Sequence, residues 1–236
     1  MMEDVLKFTE TPWIDESIEE YEYHEYDPIT VTNLHNCGDI RLRIESQDVF
    51  THPSESYLLV EGSLTKADGT PYANADEVAS TNNAIMHLFS RIEYHLSNQL
   101  IESLSHTGQA TIMFGLLKYS DDFSKAQGLN QLWYKDTATN AANADNNGFA
   151  ARHAYLIQSP TVKCKFSFTI PLKHIFGFCE DYDKIVYGLK NSITVVGKTN
   201  DDAIFRAAAT FSCLLVPYFP DIKPFSINKS LSFYFV

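Results

Sequence analysis

Histidine, serine and carboxylate side chains are where chemistry would start in this chain. His52 stands close to Ser54 and Ser56. A serine needs an adjacent base to become a nucleophile, and closeness in sequence does not supply that geometry. Glu180, Asp181 and Asp183 make an acidic run that could hold a cation, and Asp201-Asp202 makes a second. Both read more simply as solvated turns. The eight histidines (His24, His35, His52, His87, His95, His106, His153 and His174) are scattered. No two stand four apart, the spacing that sets two ligands on one helix face. His87 and His95 fall on strand-like segments and read as wall residues. Cys37, Cys164, Cys179 and Cys213 form no CxxC pair and match no zinc frame, so free thiols in a reducing compartment are expected. A P-loop, GxGxxG, GxSxG and HExxH are all absent. The sequence therefore assigns no catalytic, cofactor-binding or metal-ligating residue, and the expectation is a protein that is not an enzyme.

Charge narrows the partners. Lys and Arg number 18 against 30 Asp and Glu, a formal net charge of −12. Gripping a phosphate backbone needs clustered cations, so nucleic acid is not expected as a partner. The same sign disfavours an anionic membrane surface. No run approaches the ~20 apolar residues that span a bilayer, and the opening MMEDVLKFTETPW has no apolar leader segment. A soluble intracellular product is the expectation.

The elements that would position any site are strands. The aromatic share is 13%, and aromatic rings pack well on a pleated surface. From Asp39 to Glu45, Ile40, Leu42 and Ile44 alternate with Arg41, Arg43 and Glu45, which predicts one buried and one wet face. Tyr57 to Leu64 reads as the next strand, after a break at Pro53. Ala84 to Leu104 reads as one or two strands, with a tight turn at Ser97-Asn98-Gln99; a helix over Ile85, Leu88, Phe89 and Ile92 is the rival pattern. Thr107 to Ser120 is the helix candidate, capped by Ser105 or Thr107, with an apolar stripe of Ile112, Met113, Leu116 and Leu117. Residues 121–160 carry little period and are expected as a polar surface excursion. Cys164, Phe166, Phe168 and Ile170 should then face inward on a strand ended by Pro171. Leu172 to Phe178 reads as a short helical or turn segment. Further strands are expected at Ser192 to Val196 and Ala203 to Arg206.

The expected organisation is an acidic arm over 1–36, a β domain over 37–209 and an atypical tail over 210–236. In the arm, Glu20 to His24 alternates and could add as an edge strand. The tail carries three prolines and one carboxylate, Asp221. It reads either as a strand over Phe211 to Val216 with a loose end, or as a truncated or misread terminus.

A distributed pattern over roughly residues 38–206 resembles the major capsid proteins of the double jelly-roll lineage, as in Polinton and adintovirus elements, virophages and large DNA viruses. It runs from Asp48-Val49-Phe50-Thr51 with Pro53 and Tyr57 to Gly62, through Asn82-Asn83, Leu88-Phe89-Ser90 and Ile92-Glu93-Tyr94. It continues at Phe166-Ser167-Phe168-Thr169-Ile170-Pro171-Leu172, Ile175-Phe176-Gly177-Phe178 and Ile193 to Val196. The resemblance implies an all-β chain: an antiparallel β-sandwich, an eight-stranded viral jelly roll with one short helix and long loops. It also implies a virion component that assembles with copies of itself or other capsid subunits, as a trimer, without small-molecule substrate or cofactor. Family members carry two rolls per subunit, so this length implies a first roll alone, as in a virus-derived sequence carried in a host genome. The other readings of the residues are a β-sandwich module binding protein or carbohydrate through 121–160, and a cupin-like enzyme. The enzyme would need an HxH with a following Glu, which the sequence lacks.

Overall fold

The computed structural model describes residues 22–29, 39–44, 50–64, 70–138, 145–159, 163–198, 202–206 and 231–235. Strands come first in chain order: β1 (His24–Tyr26), β2 (Asp39–Ile44), β3 (Phe50–Thr51), β4 (Tyr57–Ser63) and β5 (Val78–Ser80). A helical turn α1 (Ala84–His87) precedes β6 (Phe89–Leu96) and β7 (Gln99–Ser105). Helices α2 (Thr107–Lys118) and α3 (Asn147–Leu156) then lead to β8 (Lys165–Pro171) and the short α4 (Gly177–Asp181). The chain closes with β9 (Val186–Tyr187), β10 (Asn191–Gly197), β11 (Ile204–Arg206) and β12 (Leu231–Phe235).

Eight of these strands form two four-stranded sheets, ordered β1-β12-β4-β8 and β2-β10-β6-β7, with every neighbour antiparallel. The order has a simple generator. Pair the eight from the outside inward: β1 with β12, β2 with β10, β4 with β8, β6 with β7. These are the rungs of one long hairpin, and successive rungs fall alternately into the two sheets. A hairpin rolled in this way is a jelly roll. The ribbons β3-β9 and β5-β11 are separate two-stranded additions.

Alternation decides what lies between the sheets. Ile40, Leu42 and Ile44 of β2, Ile92 and Tyr94 of β6, and Ile193 and Val195 of β10 are buried from one side. Leu58 and Val60 of β4 and Phe166, Phe168 and Ile170 of β8 meet them from the other, in one continuous cluster. Each such side chain contributes about 1.5–3 kcal/mol on leaving water. The β6-β7 hairpin turns through Ser97 and Asn98, both at positive φ (48° and 66°), the type I′ geometry that matches strand twist.

Several expectations change. The sheet takes β1 from the expected arm and β12 from the expected tail, so it crosses both boundaries drawn from composition at 36/37 and 209/210. The strand expected over Phe211 to Val216 lies outside the described residues. Ala84 to His87 is a helical turn rather than strand, entered through Asn83 at φ 54°. That one turn of helix buries Ala84, Ile85 and Met86 together. Residues 121–160 are not all loop: they hold α3, whose N-cap Asn146 accepts the N–H of Phe149. The roll therefore carries four helices among its described residues, not one. From α3, the buried guanidinium of Arg152 donates to the carbonyls of Ser80 (2.8 Å) and Tyr134 and to Asp136. That one side chain ties α3 to β5 and to the loop after Trp133.

Candidate functional site

Several residues that could do chemistry are turned to structural partners, while His87 Nε2, His95 Nδ1 and His174 Nδ1 are buried without a hydrogen-bond partner among the described residues. His52 Nε2 lies 2.9 Å from Asp183 Oδ1, so those two do come together. Neither serine completes the set. The Ser56 hydroxyl is fully buried and donates to the carbonyl of His52 itself at 2.8 Å, and Ser54 is buried. Nearby, Glu180 pairs with Lys118 while Asp183 takes His52, so the acidic run splits between partners. Asp202 pairs with Lys198. Among the described residues no group of three or more His, Cys, Asp or Glu side chains could hold a metal ion. His87 packs against Gly108, and burial, then the nearby Lys198, pushes its pKa down. His95 reaches Glu93 at 3.8 Å. Cys164 and Cys179 are free and buried, and burial raises the Cys179 thiol to about 12. Cys37 and Cys213 lie outside the described residues.

An open cleft of about 490 Å³ lies where α2 ends against α4. Tyr119 and Phe123 stack across it at 3.8 Å, and His174, Lys118, Lys173 and Glu180 border it. Burial, reinforced by Lys173 and Lys118, lowers the His174 pKa to about 4. Burial also raises Tyr119 to about 12, against the opposing effect of a hydrogen bond with Gln131. Near neutral pH the cleft thus presents a neutral imidazole and an un-ionised phenol. Neither is poised to trade a proton at that pH.

The unusual feature is α2. Its inward face is Thr107, Gly108, Thr111 and Gly115, one stripe at helical spacing and entirely buried. The Thr107 hydroxyl donates to the carbonyls of Met86 and Phe89, and that of Thr111 accepts from Asn83 Nδ2 at 2.8 Å. Trp133 fills the space over Gly115. This seat is narrow, so only small side chains fit between helix and body. The large ones point away: Met113 and Phe114 are 66% exposed, Leu116 51% and Leu117 87%. The apolar stripe read from the sequence therefore faces solvent apart from the half-buried Ile112, and the reason is the narrow seat. Nor is the helix capped as expected: Ser105 ends β7, His106 is the N-cap at φ 53°, and the Thr107 hydroxyl serves the body instead. A second exposed apolar pair, Phe50 and Tyr187, sits on the β3-β9 ribbon with ring centroids 4.5 Å apart.

The position of α2 follows from its two ends. It starts directly after β7, and at its far end Lys118 holds Glu180 of α4. The first N–H groups of α4, at Gly177 and Phe178, donate to Glu102 of β7 at 3.1 and 3.0 Å. Helix and outer strand thus share one flank. Among the described residues β7 pairs only with β6 and ends its sheet.

No protein-family model and no curated protein matches this chain. Among solved structures it is similar to PBCV-1 VP54 fitted into a reconstruction of the virophage Sputnik: 12% identity, TM-score 0.46, covering 82% of this chain and 38% of that one. A quasi-atomic model of the PBCV-1 virus capsid gives 10% identity and TM-score 0.44, with 97% and 44% covered. The mavirus major capsid protein gives 11% and 0.43, with 98% and 48% covered. The chain spans less than half the length of each. The jelly roll rests on the strand order of the chain itself rather than on these similarities.

Proposed function

We propose that this chain is a structural, capsid-type subunit that works by packing its roll against copies of itself or other capsid subunits, and that it is not an enzyme. The observation that carries this is the inverted helix α2. A soluble monomer gains nothing by directing four large apolar side chains into water while burying threonine and glycine beneath them. A wall component does, because the exposed side is where its neighbour sits. His52, Ser56, Asp183 and Glu180, which could have made a site, are instead bonded to the fold.

The pattern of residues shared with double jelly-roll capsid proteins adds the finer reading: a first roll, assembling as a trimer in a virion, with no part in gripping nucleic acid or membrane. The domain reading becomes one roll from β1 to β12, with the acidic residues ahead of β1 as an arm. Light scattering after size-exclusion chromatography tests it. The expected mass is three times 26.7 kDa. A monomer at all accessible concentrations would overturn the reading.

A further inference from the structure

We infer that the outward face of α2 is the seat of a second copy of this chain, a proposal that rests on the subunit reading above and names the surface it uses. Area, charge and rigidity single out that occupant.

The first is area. Met113, Phe114, Leu116 and Leu117 expose together roughly 500 Å² of side chain, a large part of the ~800 Å² each partner gives to a standard interface. The second is charge. Ten carboxylates against Lys7 in residues 3–27 hold −9 of the chain's −12, so residues 28–236 carry only −3 and two rolls can approach without strong repulsion. The outward stretch from Ile112 to Leu117 carries no ionisable group, and the charged pair at its end, Lys118 with Glu180, is already neutralised. A second copy can close there without bringing carboxylates together. A basic partner would gain more at the carboxylates of residues 3–27 and would have no need of an uncharged face. The third is rigidity. The helix is fixed beneath by the hydroxyls of Thr107 and Thr111, by Trp133 over Gly115, and at its end by α4. A pre-set face loses little freedom on docking.

The test compares the full chain with Leu117→Glu and Phe50→Glu, by light scattering at about 50 µM. Both substituted residues are exposed, so folding should be kept, and circular dichroism melts confirm it. The expected result is an associated wild type, a Leu117→Glu variant at 26.7 kDa, and a Phe50→Glu variant that stays associated. Leu117→Glu retaining the wild-type mass would overturn the seat on α2 and leave the subunit reading standing. Equal loss in both variants would mean general charge repulsion, and overturns it too. A monomeric wild type would sink both this inference and the subunit reading. Co-sedimentation of that monomer with phosphatidylcholine vesicles would then assign the face to lipid.

Discussion

Substituting Gly115 by alanine sets two known effects against each other. In the interior of an exposed helix the change should stabilise by about 1 kcal/mol, because alanine is the better helix former. Here the added methyl would sit 2.2 Å from Cη2 of Trp133, with two more indole carbons at 2.7 and 2.8 Å. Ordinary carbon contact is about 3.5 Å, so helix or indole must move by more than an ångström. The indole is held: Trp133 is 1% exposed, with Tyr119 edge-on at 5.1 Å and Phe123 at 6.4 Å. Overpacking of this kind costs about 1–3 kcal/mol, and so severe an overlap belongs at the upper end. The net expectation is a loss of about 2 kcal/mol. In urea that lowers the unfolding midpoint by about 1 M, read by far-ultraviolet circular dichroism. The same substitution in a Trp133→Phe background, which removes the carbons it meets, should recover most of the loss. A Gly115→Ala midpoint above wild type would refute the narrow seat, and with it the reason given for the outward apolar face.

Two further outcomes follow from buried polar groups. Tyr94 donates to Asn191 Oδ1 at 2.7 Å, and Asn191 Nδ2 donates to Thr51 at 3.0 Å. Tyr94→Phe leaves that buried oxygen unpaired and should cost about 1–3 kcal/mol in the same urea assay; a change within error would mean water already serves it. His174 has a folded pKa of about 4 against 6.5 unfolded, so the unfolded chain binds the extra proton between those values. Stability should be complete above pH 6.5 and fall as pH drops towards 4, by about 3 kcal/mol at most. His174→Phe should flatten that decline in melting temperature, leaving the part due to His87, which burial shifts the same way. An unchanged slope would remove His174 as its source.

The strands were legible because alternation has one meaning in a sandwich. Ile40, Leu42 and Ile44, and Phe166, Phe168 and Ile170, could only face the core, and they do. The tight turn at Ser97-Asn98 was legible for its residue types. The closing pair was legible only in part. The alternation from Glu20 to His24 overlaps β1 at His24, whereas β12 lies in an apolar stretch without alternation and becomes a strand because β1 and β4 are there to bond it. Long-range pairing of this sort leaves little local period. The α3 helix was hidden for a different reason: it fixes its buried face with Phe149, Arg152 and Leu156, and an arginine in the middle of a stripe reads as solvent-facing until its carbonyl partners are known.

The α2 helix was found, but which of its faces meets the body was not, and the cause is general. Periodicity reports that a helix has two faces; it does not report which one the body can accommodate. The expectation that apolar residues go inward assumes room for them. The signal against it was in the sequence: Thr107, Gly108, Thr111 and Gly115 recur at the same period as the apolar residues, on the opposite side. A stripe of small side chains marks a close approach of backbone to its support, and two glycines inside a helix weaken it unless something requires them. Here something does, since His87 and Trp133 occupy the space a side chain would need. The glycines are thus evidence about direction. They place the body beneath the small face, and that leaves the large apolar face outward, the surface we propose as the seat of a second copy.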